Sequence, residues 1–190
     1  TLNLPKKPIK ATKRVVDGKP IPLDVGKFNE SDYFTYIAAF GAFTEVSYET
    51  THEKKQNFGH LAYVLQGMGQ LSKIQHYKTK VEYDGGSIEG DYIFGSVSNS
   101  TSVAGMVKLT DDDVSLDDGE FEVILVKTPS NVIEMNQIIA NVLSHNFNTN
   151  NISFFHTNKI NFTFEKPAKW TRDGESGGIH QKVQIENIHR

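Results

Sequence analysis

Segments with the pattern of β-strands follow one another along most of this chain, and few helical segments separate them. Residues 77–83 alternate apolar and polar side chains, and Asp84-Gly85-Gly86 is a hairpin turn signal that leads into a second strand-type run at 87–97. The same alternation recurs over residues 160–164. Because parallel sheets need a crossover, usually a helix, between strands, this order predicts an antiparallel sheet.

The remaining segments complete a prediction of an α+β fold that is mainly β. Further strands are expected at residues 19–28, 33–43, 121–126, 152–155 and 181–188. Helices are expected at 8–16, at 57–74 and at 129–144, the last with Thr128 as N-cap and an apolar stripe of Val132, Met135, Ile139 and Val142. We therefore predict one domain over residues 1–190, an antiparallel β-sandwich-like domain with two or three peripheral helices.

Composition excludes several functional classes. The chain has no cysteine, which rules out disulfides and thiolate metal sites and favours a reducing, cytoplasmic location. A net charge of −3 argues against a nucleic-acid binder held by a general basic field. The seven histidines never fall at a compact zinc spacing, and no Gly-x-Ser-x-Gly elbow supports a serine hydrolase.

Positive charge is concentrated near the amino terminus. Lys6, Lys7, Lys10, Lys13 and Arg14 all lie within the first fourteen residues. Such a cluster can contact anionic lipid headgroups or phosphates. The same pattern is also typical of a solvated helix face or a domain linker, and the sequence does not decide between these interpretations.

An acidic segment at residues 111–120 is the first candidate site. Its six carboxylates lie just before a predicted buried strand, and oxygen-rich loops of this kind attract Mg²⁺ or Ca²⁺. The segment is not an EF-hand, because counting Gly119 as the sixth loop residue places Val114 at the first ligand position. Asp117-Asp118-Gly119 is equally an ordinary turn before a strand.

A second candidate lies at residues 170–178, where the only tryptophan is followed by Arg172, Asp173, Gly174 and Glu175. A carboxylate on a tight turn beside an aromatic residue and an arginine can act as a general base. The alternative is a simple Asp-Gly hairpin turn with Glu175 at the surface. A third stretch, residues 95–105, is rich in small hydroxylated residues that can bind phosphate, although it has no P-loop spacing.

Five segments carry a resemblance to a known family. They are Ile-Pro-Leu-Asp-Val-Gly-Lys at 21–27, a strand at 34–44 with Ala-Ala-Phe-Gly-Ala, a helix at 54–71, Leu-Asp-Asp-Gly at 116–119, and Trp-Thr-Arg-Asp-Gly-Glu at 170–175. In this order and spacing they resemble the second domain of the bacterial diacylglycerol kinase and related lipid kinase family. The last two segments are similar to that family's Leu-x-Asp-Gly turn and Asp-Gly-Glu motif.

The resemblance implies a fold, a reaction and a set of site residues. Family members have an amino-terminal nucleotide-binding domain and a carboxy-terminal β-sandwich, with catalysis in the cleft between them. By resemblance, a structural Mg²⁺ would be held by Asp118 and the carbonyls of Ser115 and Glu120. Glu175 would take the proton from the hydroxyl of diacylglycerol or a related lipid as it attacks ATP. Peripheral contact with the inner face of the membrane is expected, and a homodimer fits the resemblance.

One departure from the family pattern is large. The Gly-Gly-Asp-Gly-Thr nucleotide motif is absent from all 190 residues and would lie upstream of Thr1. We therefore expect a carboxy-terminal, substrate-side fragment of an ATP-dependent lipid kinase that neither binds ATP tightly nor phosphorylates lipid by itself. The alternative, from a different functional class, is a non-catalytic β-sandwich that binds a lipid or another ligand.

Overall fold

The computed structural model describes residues 5, 7–42, 74–100, 102–103, 107–108 and 114–189. Within these residues the helices are α1 (Pro8–Val16) and α2 (Val132–Leu143). The strands are β1 (Val25–Phe28), β2 (Asp32–Phe34), β3 (Ile37–Gly41), β4 (Tyr77–Tyr83), β5 (Gly86–Ser98), β6 (Ser102–Val103), β7 (Val107–Lys108), β8 (Phe121–Lys127), β9 (Ile152–Thr157), β10 (Lys159–Arg172) and β11 (Glu175–Ile188). Neither described helix is long and apolar enough to cross a bilayer.

Nine of the described strands form one antiparallel sheet. Its order is β2-β1-β11-β10-β3-β5-β8-β9, and β4 pairs with both β10 and β5. The pairs β3 with β5, β5 with β4, β4 with β10 and β10 with β3 form a closed circuit. The predicted antiparallel, mainly β fold is confirmed and includes a small barrel-like closure. The division into two stacked sheets that a sandwich requires is not confirmed.

Aromatic side chains fill the inside of this closure. The Phe40 ring centroid lies 4.9 Å from that of Phe164 and 5.0 Å from that of Trp170, and all three side chains are buried. Opposite Phe40 in the register stands Gly95, where an added Cβ would lie 2.3 Å from the Phe40 ring. Phe40 therefore needs glycine on the neighbouring strand, and the close ring packing stabilises the circuit.

Helix α2 covers the other face of the sheet. Its buried residues Met135, Ile138, Ile139 and Val142 belong to a second apolar cluster with residues of β8. The strand β8 is buried on both faces, which explains why its sequence is a nearly continuous apolar run. The helix begins at Val132 rather than at 129, because Asn131, not Thr128, caps it by accepting the Glu134 N–H at 2.9 Å. Val132, which was predicted to belong to the apolar stripe, is 64% exposed and lies outside the buried face of the helix.

Several predicted element bounds change. The strand predicted at 19–28 begins only at Val25, because Pro20 and Pro22 cannot donate to a ladder. The strand predicted at 33–43 is interrupted at Thr35 and Tyr36, whose backbone N–H groups bond a side chain instead of a strand. Helix α1 is confirmed over 8–16. The helix predicted at 57–74 lies outside the described residues except for its final position.

The closure gives a stability prediction for Phe40. Replacing Phe40 by Ala removes ring contacts to Tyr77, Phe162, Phe164 and Trp170 and leaves a cavity, so we expect the free energy of unfolding to fall by about 3–5 kcal/mol. Urea denaturation measures this change. Ile9→Ala is the control, because Ile9 is 86% exposed and its removal should cost less than about 0.5 kcal/mol. Equal losses in both variants would contradict the proposed role of the closure.

Candidate functional site

The predicted site residues lie on two turns at one edge of the sheet. Glu175 is exposed and opens β11, directly after the Asp173-Gly174 turn, while Ser115, Asp118 and Glu120 are exposed in the turn before β8. Across the sheet, Arg172 is paired with Ala38, Ala38 with Val97, and Val97 with Val123, so three steps from one strand to the next separate Arg172 from Val123. At about 4.8 Å per step this is roughly 14 Å. The two turns therefore share an edge without forming one site.

Asp173 fixes the hairpin that carries Glu175. Its carboxylate accepts the backbone N–H groups of Thr35 at 2.8 Å, Tyr36 at 2.9 Å and Ile37 at 2.9 Å. Its own N–H donates to the Ile37 carbonyl at 2.8 Å. Asp173 has a φ of 49° and Gly174 a φ of 90°, which suits the two-residue hairpin turn that the sequence indicates. These charge-assisted bonds hold the base of the hairpin, so the position of Glu175 is fixed by the sheet.

The two neighbours that suggested a general base have other contacts. Trp170 is fully buried in the aromatic core. The Arg172 guanidinium pairs with the Asp32 carboxylate at 3.1 Å and lies 5.3 Å from the centre of the Phe28 ring. Arg172 stands opposite Glu175 in the register of β10 and β11, but its guanidinium is paired with Asp32, and the Trp170 side chain lies in the core. They anchor the strand that leads to the turn.

Asn99 connects the two turns. Its backbone N–H donates to the Tyr36 carbonyl at 3.0 Å, next to the segment that Asp173 holds. Its side-chain amide donates to the carbonyls of Asp24 and Leu116, both at 3.1 Å. The Ser100 N–H donates to the Glu122 carboxylate. The amides at 99 and 100 are buried and used within the fold, so this part of the predicted phosphate-binding stretch at 95–105 is not offered to a ligand.

A buried carboxylate lies beneath the acidic turn. Glu122 is 1% exposed, and burial, followed by the nearby charges of Asp118 and Asp24, raises its pKa to about 8. In the described part of the chain, no lysine or arginine lies within 4 Å of any of these three carboxylates. The acidic end of the sheet therefore has an excess of negative charge.

The acidic turn has the chemistry of a magnesium site. Its donors are oxygens only, the Asp118 carboxylate together with backbone carbonyls, and Gly119 has a φ of 85° that permits the tight turn. Nearby, the buried Asn99 Oδ1 has no hydrogen-bond partner among the described residues. No group of three metal-binding side chains occurs in the described ranges, so a cation here would also need carbonyl and water ligands. The residues fit Mg²⁺, which commonly keeps several waters.

Four residues of this edge were not predicted as contributors: Asp24, Asn99, Glu122 and Asp173. Asp24 bonds Gly119 across 95 positions, and no sequence pattern indicates such a contact. One signal was available for Glu122, because an acid in the otherwise apolar run Phe121-Glu122-Val123-Ile124 has to be buried or capped. Asp173 was noted only as part of a turn.

Comparison with known proteins places this fold and edge in a family. No protein-family model matches the chain. It is 32% identical over 180 residues to a diacylglycerol kinase of Bacillus subtilis (strain 168), covering 94% of this chain and 58% of the relative. It is 37% identical over 139 residues to a diacylglycerol kinase of Staphylococcus carnosus (strain TM300), covering 73% of this chain and 44% of the relative. The chain thus spans about half the length of these curated relatives.

Solved structures agree on the fold. A diacylglycerol kinase from Bacillus anthracis str. Sterne superposes with a TM-score of 0.67 and 21% identity, covering 99% of this chain and 58% of that one. A second solved chain from the same organism gives a TM-score of 0.75 at 24% identity. These similarities show that the chain has the same fold as part of those solved structures. The sequence relatives identify the family. The chain belongs to the bacterial diacylglycerol kinase family.

The raised pKa of Glu122 predicts how stability depends on pH. In EDTA, the free energy of unfolding should fall between about pH 5 and pH 8, because the folded protein keeps a proton that the unfolded chain releases near a pKa of 4.5. Each unit of separation between the two pKa values corresponds to about 1.4 kcal/mol. Glu122→Gln should lose this part of the slope, so its stability relative to the unmutated chain rises with pH. If the free energy of unfolding, measured by urea denaturation, changes with pH in the same way for both proteins, the assignment is contradicted.

Proposed function

We propose that these 190 residues form the substrate-side part of an ATP-dependent lipid kinase, and that Glu175 is its general base. One observation carries the proposal: Glu175 is an exposed carboxylate on a hairpin that Asp173 fixes to the sheet. Relatives named diacylglycerol kinase support the reaction class. The substrate class follows from those names, namely diacylglycerol or a related lipid with a free hydroxyl.

In the proposed reaction the lipid hydroxyl oxygen attacks the γ-phosphorus of ATP. A new oxygen–phosphorus bond forms, the bond between the γ-phosphorus and the bridging oxygen of ADP breaks, and the hydroxyl proton passes to the Glu175 carboxylate. Such transfers depend mainly on positioning and on neutralising charge, with the base within hydrogen-bond reach of the hydroxyl. A base on a rigid hairpin meets the positioning requirement better than one on a long loop.

The acidic turn has a separate proposed role. Asp118 and the carbonyls of Ser115 and Glu120 would hold Mg²⁺, which supplies positive charge where Asp24, Asp118 and Glu122 concentrate negative charge. The separation of roughly 14 Å between the strands beneath the two turns supports a structural rather than a catalytic metal. The turn would then keep its shape, and with it the edge that it shares with Glu175.

ATP and the membrane are the remaining proposed partners. The nucleotide motif Gly-Gly-Asp-Gly-Thr is absent from the sequence, so we propose that ATP is bound by residues other than these 190. The lipid substrate implies peripheral contact with the cytoplasmic face of a membrane. The exposed Lys10, Lys13 and Arg14 of α1 support contact with anionic headgroups.

A chimera tests Glu175 directly. The 190 residues replace the matching 58% of the Bacillus subtilis relative, and phosphorylation of diacylglycerol by Mg²⁺-ATP is followed. Glu175→Gln should lower kcat by about 10²–10⁴-fold with little change in KM, because the base acts in the transition state. Glu165→Gln is the matched control, since Glu165 is exposed and its ion pair with Lys78 spans 3.7 Å at the surface.

Other outcomes would change the proposal. Unchanged turnover in Glu175→Gln would remove Glu175 as the base. The 190 residues alone should give no lipid phosphate. Lipid phosphate formed by them would contradict the proposal that ATP is bound by other residues. A folded chimera that binds lipid vesicles but never transfers phosphate would favour the non-catalytic binding domain.

A further inference from the structure

Arg172 has three acidic neighbours at the end of β10. Asp173 follows it in sequence, Glu175 stands directly opposite it in the register with β11, and Asp32 begins β2. The guanidinium is a rigid, planar fork, so binding to one carboxylate turns its N–H groups away from the others. The choice that Arg172 makes among these neighbours therefore decides whether Glu175 stays unpaired.

Glu175 is the partner that the hairpin by itself favours. Residues directly opposite each other in an antiparallel pair have Cβ atoms about 4.5–5.5 Å apart on the same face, so an arginine and a glutamate there can meet. Among the residues that the structure describes, however, no lysine or arginine nitrogen lies within 4 Å of the Glu175 carboxylate. Another interaction therefore holds the Arg172 side chain.

Asp32 and Phe28 bind the guanidinium instead. Nη1 of Arg172 lies 3.1 Å from Oδ1 of Asp32, and the guanidinium carbon lies 5.3 Å from the centre of the Phe28 ring. Because Phe28 and Asp32 are opposite each other in the register of β1 and β2, the ring and the carboxylate form one binding surface. The Arg172 side chain is only 20% exposed there, whereas Glu175 is exposed.

Backbone groups occupy the third carboxylate. Asp173 accepts the N–H groups of residues 35–37, which directly follow β2. These bonds also fix the end of the strand that carries Asp32. Asp173 is thus used by the backbone, and it helps to place the carboxylate that binds Arg172.

We propose that Asp32 is a positioning residue for the catalytic base, because it holds Arg172 away from Glu175 and leaves the Glu175 carboxylate free to accept the proton of the lipid hydroxyl. This inference rests on the proposed role of Glu175 as general base. A carboxylate paired with a guanidinium is a weaker base, since the ion pair stabilises its charged form and occupies its oxygens. Asp32 acts only through Arg172 and does not touch the reacting atoms.

Kinetics of the chimera with the Bacillus subtilis relative measure the effect on turnover. Asp32→Asn releases Arg172 to pair with Glu175, and an exposed pair of this kind shifts an equilibrium by up to about fivefold. We therefore expect kcat to fall by up to about fivefold with KM unchanged. Glu30→Gln is the matched control, because Glu30 is exposed in the same turn and forms no ion pair within the described ranges. Its kcat should equal that of the unmutated chimera.

A second substitution separates this role from simple support of the fold. Adding Arg172→Gln to Asp32→Asn removes the cation that would pair with Glu175, so kcat should rise again towards that of Arg172→Gln alone. A purely structural role predicts the opposite, since the double variant has lost more contacts. A double variant that turns over no faster than Asp32→Asn would overturn the proposal.

NMR of the 190-residue chain tests the position of Arg172 without any turnover. The buried Nε of Arg172 has no hydrogen-bond partner among the described residues, so its N–H signal reports on where the guanidinium lies. Glu175→Gln should move this signal little in the unmutated background and strongly in the Asp32→Asn background, because the two side chains pair only in the latter. Equal shifts in the two backgrounds would contradict the role of Asp32.

Two results distinguish the failure of this inference from that of the proposed base. If Glu175→Gln keeps full turnover, the base is wrong and the catalytic role of Asp32 falls with it. If Glu175→Gln lowers kcat as proposed while Asp32→Asn turns over like the Glu30→Gln control, the base stands and the inference about Asp32 is wrong.

Discussion

The long strand β10 supports the rest of the structure, because it is bonded to three other strands. It pairs with β11 along most of its length, with β4 at residues 160–164 and with β3 at residues 170–172. The buried rings of Phe162, Phe164 and Trp170 point from it into the closed part of the sheet. The strand then ends at the turn that bears Glu175. Core packing and the position of the candidate base are therefore consequences of the same strand.

Charge, rather than packing, distinguishes the edge on which both turns lie. Asp24, Asp118 and Glu122 lie close enough for the first two to raise the pKa of the third. Such a cluster is unfavourable without a cation, and backbone N–H groups offset only part of its cost. The Glu175 turn shows the opposite arrangement, since the Asp173 carboxylate accepts three backbone N–H groups and Glu175 stays exposed. This difference in charge is the basis for proposing that one turn holds a metal and the other accepts a proton.

Periodicity predicted the parts of the fold that depend on local pattern. The β4–β5 hairpin, β8 and α1 are found where alternation, apolar runs and helical spacing indicated them. Long-range contacts were not predictable, since the bond between Asp24 and Gly119 depends on the strand order of the whole sheet. Competing local signals also misled: Thr128-Pro129 is a common helix start, but Asn131 and Glu134 form the actual capping pair. Trp170, which the sequence suggested as a neighbour of the candidate base, is buried in the core.

The separation of roles between the two turns is open to direct observation by crystallography. Crystals of the 190-residue chain soaked in Mn²⁺, an oxygen-binding substitute for Mg²⁺ with a strong anomalous signal, would locate the metal. We expect one anomalous peak about 2.2 Å from the Asp118 carboxylate, bounded by the carbonyls of Ser115 and Glu120, and none at Glu175. A peak bound by Glu175, or an acidic turn that stays empty at saturating Mn²⁺, would contradict this account of the edge.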